Sequence, residues 1–299
     1  MSSRGCPYRC SFCASAKHWG RFRAFSANYV AREIEWLRER YDPEIILFFD
    51  DLFIADDERF RRTGALLKER GLLEGIRFRC FARANLIGEA MADFLMEHHF
   101  SMLDFGFESN DEEVLRFLGK ARVTPETNQQ AVDVLRARGA SIGGSFIIGC
   151  PGEDEQAIGR TWDFMISNAP YFDRMSFGPL QALPGTAIWD WALERGLVSE
   201  EMDWSRLAYY EDTFDPERFP LLCDSMEKAD FMRWHERIAA LCHRINQSGH
   251  IRALDEKLAR AGGEIARLRG ELDSLRGSRL VRGALGLRRA LGRVRGARR

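Results

Sequence analysis

Apolar positions along the first two thirds of the chain fall into two alternating patterns. Short apolar-rich segments at Ile45–Phe49, Ile76–Phe81, Met102–Phe107, Ile142–Ile148 and Met175–Gln181 predict strands. The unbroken run Ile45–Phe49 predicts one that is buried on both faces. Stretches of helical period lie between them. Ser26 heads a helix with Val30, Ile34 and Leu37 on one face, and Pro43 marks its end. Further helices are predicted over residues 57–70, 89–99 and 154–168, and from Asp111. Another starts at Thr124-Pro125-Glu126, where a cap, a proline and a first-turn acid coincide. Strands alternating with helices at this spacing make an α/β fold with a parallel sheet and right-handed crossovers. Pattern alone leaves an open sheet and a barrel both available. Asp50-Asp51, Arg83, Glu108-Ser109 and the Cys150-Pro-Gly-Glu153 turn each follow a strand segment. They therefore gather at the carboxyl ends of the strands, where such folds bind ligands.

The amino terminus adds chemistry to this frame. Cys6-Pro-Tyr-Arg-Cys10-Ser-Phe-Cys13 puts three cysteines within eight residues. Three thiolates this close can grip a metal centre and leave one coordination position open, as a catalytic centre requires. By spacing alone the alternatives are a zinc site completed by His18, or three unrelated thiols. The pattern Cys-x3-Cys-x-aromatic-Cys, with Phe12 in the aromatic slot, resembles the cluster loop of the radical S-adenosylmethionine (radical SAM) superfamily. The resemblance implies a 4Fe-4S cluster on Cys6, Cys10 and Cys13, with S-adenosylmethionine on the fourth iron. It implies reductive cleavage of that molecule to a 5'-deoxyadenosyl radical. It also implies that residues 1–196 form a partial (β/α)6 barrel of the TIM type.

Within that superfamily the chain is most similar to the branch of cobalamin-dependent and methylthiotransferase-like enzymes. Asp50-Asp51-Leu-Phe53 resembles the motif that receives the methionine ammonium, and Arg83 an arginine that pairs with the methionine carboxylate. Gly106-Phe-Glu108-Ser109 resembles the segment that touches the ribose and methionine portion. Ile147 and Gly149, within Phe146-Ile-Ile-Gly-Cys-Pro-Gly-Glu153, belong to the segment that packs the adenine. Leu183-Pro-Gly-Thr186 matches a turn after the last strand. A zwitterionic ligand needs both acceptors and donors, and a glycine lets backbone approach an adenine closely, so these roles make physical sense. Only five residues precede Cys6, so the first strand is expected to be a truncated stub unless an upstream segment supplies it. No Asp-x-His-x-x-Gly cobalamin signature occurs, so cobalamin is expected only from a separate chain or an upstream domain.

The carboxyl-terminal third reads differently. Residues 197–247 predict a cap and a helix from about Cys223 to Gln247, with Trp234, Ile238, Leu241 and Ile245 on one face. Past Ser248-Gly249, the residues Ile251, Leu254, Leu258, Ala261, Ile265, Leu268, Leu272 and Leu275 recur by alternating threes and fours. That is a coiled-coil seam over residues 248–276, weakened by Gly262-Gly263 and Gly270, and it predicts a homodimer or a helix docked on the body. Residues 277–299 hold eight arginines and no acid, so the tail carries +8 and the remainder −9. A basic tail on an acidic body predicts a second partner, such as an anionic surface. Its Leu-Arg-Gly-Ser-Arg-Leu wording resembles tails of bacterial glycosyltransferases and their neighbours in surface-polysaccharide pathways. Seven cysteines, an odd number with three in one cluster, argue against a disulfide framework and for a reducing, cytoplasmic setting.

The expectation is a radical SAM enzyme served by a one-electron donor such as flavodoxin or ferredoxin. It would act on an unknown substrate by methyl transfer or another modification, in a surface-glycan or natural-product pathway. The rival is a non-catalytic iron-sulfur or zinc module that recruits partners through its coiled coil and tail. A nucleic-acid modifier of the methylthiotransferase kind ranks third, because it calls for an all-strand domain after residue 196 that the pattern lacks.

Overall fold

The computed structural model describes residues 1–209 and 214–277. The arginine-rich tail from residue 278 lies outside the described residues. The chain divides into two units, Met1–Gln247 and Ser248–Arg299.

In the first unit, β1 (Ser3–Arg4) and β2 (Arg23–Ala24) form a small antiparallel sheet of their own. The main sheet holds β3 (Ile45–Phe48), β4 (Arg77–Ala82), β5 (Met102–Glu108), β6 (Ser141–Ile148) and β7 (Phe172–Pro179). They lie side by side in sequence order, and every neighbouring pair is parallel. Helices α1 (Ser15–Trp19) and α2 (Ala27–Tyr41) precede β3, and the crossovers run through α3 (Asp57–Glu69), α4 (Glu89–Glu97), α5 (Glu112–Phe117), α6 (Pro125–Arg136) and α7 (Glu155–Asn168). The expected first strand is a two-residue stub, Ser3–Arg4, which lies outside the main sheet. The stub Ser3–Arg4 pairs with Arg23–Ala24 instead, because two residues offer too short a ladder to extend a parallel sheet.

Local chemistry sets the helix starts. Ser26, Asp56, Asp111, Thr124 and Asp154 each cap a helix by accepting a backbone N–H three residues on. Thr124 and Thr127 complete a reciprocal capping box.

The two faces of the sheet differ. Phe48, Phe78, Leu103, Phe105, Phe107, Ile142, Phe146 and Phe177 point into the layer of helices and are buried. Their rings interlock with Phe53, Phe60, Phe100, Phe164 and Phe172, with centroids such as Phe48–Phe53 at 3.9 Å and Phe60–Phe100 at 5.1 Å. The opposite face carries Arg79, Asp104, Gly143, Ser145, Arg174 and Ser176. This corrects the reading of Ile45–Phe49 as buried on both faces. Ile45, Leu47 and Phe49 are 40%, 38% and 63% exposed, because β3 is an edge strand with no helix over its second side. At the other edge, the Asn246 amide pairs with both the N–H (2.8 Å) and the carbonyl (2.9 Å) of Met175 and so stands in for a further strand.

Helix α8 (Ala187–Glu194) follows β7, and α9 runs from Lys228 to Gly277. The first part of α9 buries Phe231, Ile238, Leu241 and Ile245, while Trp234 is half-buried. The helix expected to end at about Gln247 and the seam past Ser248-Gly249 belong to this one helix. One glycine costs a helix about 1 kcal/mol, too little to interrupt it. In the second unit Ile251, Leu254, Leu258, Ile265, Leu268, Leu272 and Leu275 are all exposed.

Candidate active site

A loop over the carboxyl ends of the strands carries the three cysteines, and three elements hold it. Gly5 adopts φ +79°, its N–H donates to Asp51 Oδ2 (3.0 Å), and a Cβ there would sit 2.8 Å from the Arg21 carbonyl oxygen. Ser11 donates from its N–H to the Leu118 carbonyl (3.0 Å) and from its hydroxyl to that of Phe117 (3.1 Å), both at the end of α5. The first turn of α8 donates from Ile188 N–H back to the Ser11 carbonyl (3.2 Å). Phe12 packs against the second apolar cluster, which includes Val114, Leu118 and Ile188, and so pins the loop between its last two cysteines.

Cys6, Cys10 and Cys13 are all half-buried and unpaired. Burial pushes the Cys6 and Cys13 thiols above their ordinary value. Nearby negative charge adds to this at Cys13, from Cys10, Asp51 and Glu108, while Arg83 works the other way at Cys6. The three thiols line a cavity of about 580 Å³ together with Lys17, Arg21, Gly185 and Thr186, which brings the Leu183-Pro-Gly-Thr186 turn to the cysteines. Among the described residues no three His, Cys, Asp or Glu side chains converge closely enough for a single metal ion. His18 is exposed and edge-on to Trp19. The donor set fits a multi-iron cluster, in which each thiolate has its own iron and the sulfurs stand further apart than around one ion.

The other expected residues divide between the loop and the scaffold. The Asp50 carboxylate is buried and accepts from the Ser2 N–H, the Ser2 hydroxyl and the Ser3 hydroxyl at 2.5–3.0 Å. Arg59 lies behind it and donates to the Ser2 hydroxyl (3.1 Å). Asp50 therefore ties down the chain that enters the loop, and Asp51 is the exposed member of the pair. Arg83 is buried. It donates from Nε to Asn85 (2.9 Å), from Nη2 to the Ala121 carbonyl (3.0 Å) and from Nη1 to the Cys10 sulfur (3.4 Å). Its guanidinium also stacks 4.1 Å from the Tyr8 ring centroid.

Glu108 has the left-handed φ of +64° beside a bulge in β5, a conformation that a non-glycine residue adopts at a cost of about 1–3 kcal/mol. Lys120 reaches it at 2.9 Å and also bonds the Gly106 carbonyl. Nothing in the sequence flags Lys120, since the contact exists only once α5 folds back over β5. Ser109 is fully buried and turned toward the helices, with its hydroxyl 3.0 Å from Thr161 Oγ1. Ile147 is half-buried. Gly149 has φ +78°, and a Cβ there would fall 2.8 Å from the Phe231 ring. Glu153 is fully buried and accepts from the Gly149 N–H (2.6 Å) and the Cys150 N–H (3.0 Å) through Oε2, while Oε1 has no partner among the described residues. Burial raises its carboxyl to about 7.

A sheet of parallel strands with a three-cysteine loop at their carboxyl ends defines a class. Residues 1–165 match the family model described as the radical SAM superfamily, and the chain belongs to that superfamily of enzymes, which use a 4Fe-4S cluster and S-adenosylmethionine. It is similar to an uncharacterized methyltransferase of Pyrococcus horikoshii, at 32% identity over 72% of this chain and 45% of that protein. It is also similar to the bacteriochlorophyllide d C-12(1)-methyltransferase of Chlorobaculum tepidum, at 24% identity over 73% and 47%. The solved structure of the radical S-adenosylmethionine methyltransferase TsrM from Kitasatospora setae, with cobalamin and a [4Fe-4S] cluster bound, shares the fold. Its TM-score is 0.60 at 18% identity, over 74% of this chain and 44% of that one. The chain spans less than half the length of these relatives.

Proposed function

We propose that the chain binds the cluster and S-adenosylmethionine for a methyl-transfer reaction. The observation that carries this is the loop of three half-buried cysteines, held over the strand ends beside Asp51, Arg83 and the Glu108–Lys120 pair. Cys6, Cys10 and Cys13 would each hold one iron. When bound, the cluster supplies the electron that cleaves S-adenosylmethionine. Asp51 has an oxygen available for the methionine ammonium, whereas Asp50 is committed to Ser2 and Ser3. Arg83 places positive charge on the cysteine side of the cavity, where the methionine carboxylate would lie. Glu108, with its charge balanced by Lys120, offers an acceptor to the ribose, and half-buried Ile147 would offer the adenine an apolar contact, while Gly149 makes room behind it for the Phe231 ring. Phe12 packs against the same apolar cluster as Ile147, and Ser109, bonded to Thr161, holds the end of β5.

Methyl transfer is favoured over other outcomes by the methyltransferases among the relatives. Cobalamin would come from a separate chain or a further domain, the electron from a flavodoxin or ferredoxin, and the setting would be cytoplasmic. Among the described residues no helix is long and apolar enough to cross a membrane. The seam of α9 is proposed to pair two copies, and the basic tail to meet an anionic surface. The test is anaerobic reconstitution with iron and sulfide, reduction, and assay for 5'-deoxyadenosine and, with cobalamin added, S-adenosylhomocysteine. Product from the wild type and none from Cys10→Ala is expected. Zinc bound in place of a cluster, with no S-adenosylmethionine cleavage, would favour the recruitment module instead.

A further inference from the structure

We propose that the uncovered face of the sheet holds an oxyanion site built from Arg79 and Arg174 around Asp104. We further propose that the substrate carries a carboxylate, phosphate or phosphonate that binds there; this second part rests on the reaction proposed above. Arg79 donates from Nε to Asp104 Oδ2 (2.5 Å) and from Nη2 to Oδ1 (3.1 Å). Arg174, two strands away, donates from Nε and Nη2 to Oδ1 (3.2 and 3.1 Å) and from Nη1 to the Ser141 hydroxyl (3.3 Å). Two guanidinium groups share one carboxylate, so one positive charge is left over. The carboxylate is the enclosed member, its side chain 12% exposed, while both arginine side chains are 30% exposed. Nη1 of Arg79 makes no hydrogen bond among the described residues. The surplus charge and the spare donors thus face open space, and planar guanidinium forks match the geometry of oxyanions.

The surroundings are shaped to keep that space open. A Cβ on Gly143 would lie 2.1 Å from Asp104 Oδ1 and 3.2 Å from Arg174 Nη2, so a glycine is what lets the two arginines meet one acid. The next residues up the same face, Ser145 and Ser176, are exposed and touch through their hydroxyls at 2.9 Å. Above them the Tyr209 ring lies against Gly178, 3.3 Å from where its Cβ would be. Phe49 and Phe81 meet edge-on at 6.0 Å on the same face, toward the β3 edge. A filled barrel puts branched aliphatic side chains at such inward positions. Here serine and glycine leave a trough with a cationic floor, hydroxyls on its wall and aromatic rings toward its rim. Asp104 and Glu108 are four residues apart on β5, so floor and active-site loop are separated by roughly 13 Å. A substrate of that length would have its acid on the floor and its reacting carbon beneath the cysteines.

The test uses the full chain and inorganic phosphate as the probe, titrated at constant ionic strength against chloride and read by calorimetry and thermal melting. Wild type and the surface control Arg62→Gln are expected to bind phosphate alike. Arg79→Gln and Arg174→Gln should each weaken binding about tenfold, the worth of one charged hydrogen-bonding group. Asp104→Asn should tighten it by a similar factor, a gain that misfolding cannot imitate. A wild type without phosphate-specific binding, binding equal in all variants (an adventitious ion only), or weaker binding in Asp104→Asn would overturn the proposal. Phosphate binding needs no iron, so its failure leaves the cluster reading intact, and failure of the cluster reading leaves an oxyanion site without its reaction.

Discussion

Arg83 is where one side chain bears most directly on the proposed cluster. Its Nη1 donates to the Cys10 sulfur and Tyr8 stacks on its other side. Positive charge and an N–H on a ligating sulfur favour the more negative, reduced state. Arg83→Gln, reconstituted, is expected to retain its cluster and show a lower midpoint potential in an EPR-monitored redox titration. An unchanged potential would remove Arg83 from the cluster's surroundings. The Glu108–Lys120 pair makes a second prediction. Its side chains are 10% and 6% exposed, and removing one partner leaves the other charge buried. Lys120→Met should cost about 3 kcal/mol in urea unfolding, and the double variant with Glu108→Gln should recover much of it. Glu153 gives a pH dependence. Its folded carboxyl is raised to about 7, so it favours folding while protonated, below its ordinary value near 4.5. That contribution is lost as pH rises through 7. Between pH 5 and 8 the wild type should lose more melting temperature than Glu153→Gln. Of these residues, the cysteines were legible from their spacing, and Arg83 and Glu108 from their places after strand segments. Lys120 and Tyr8 were not, because their partners are made by the fold. Asp50 and Asp51 look interchangeable in sequence, and only the entry path of Ser2 and Ser3 separates them.

At the level of elements, apolar segments located all five main strands to within three residues, since a strand buried on its helix side must carry such residues there. What a continuous run does not report is whether its second face is covered, and for Ile45–Phe49 it is bare. Short α8 and the even shorter Ser15–Trp19 helix escaped notice because one or two turns show no period. In a parallel dimer the seam of α9 would set Glu264 of one copy beside Arg269 of the other, a charge pair flanking the apolar core. Sedimentation equilibrium should find a concentration-dependent dimer for the wild type and a monomer for Leu258→Glu with Leu268→Glu. Monomers in both would leave the seam without its proposed partner.

For the whole molecule, the family, the sheet and the cysteine loop agree on one assignment, and the substrate is left to the open face and to whatever joins it. An anionic substrate drawn to Arg79 and Arg174 must approach a body whose net charge, apart from the tail, is −9, so the local surplus of positive charge has to act at short range. The assignment stands or falls with Cys6, Cys10 and Cys13 holding a cluster that has one iron open to S-adenosylmethionine. Its most direct test is the EPR spectrum of the reduced, reconstituted full chain before and after S-adenosylmethionine is added. A 4Fe-4S signal whose g values shift on addition, absent from Cys10→Ala, is the predicted result. A signal that ignores S-adenosylmethionine, or one that persists without Cys10, would contradict it.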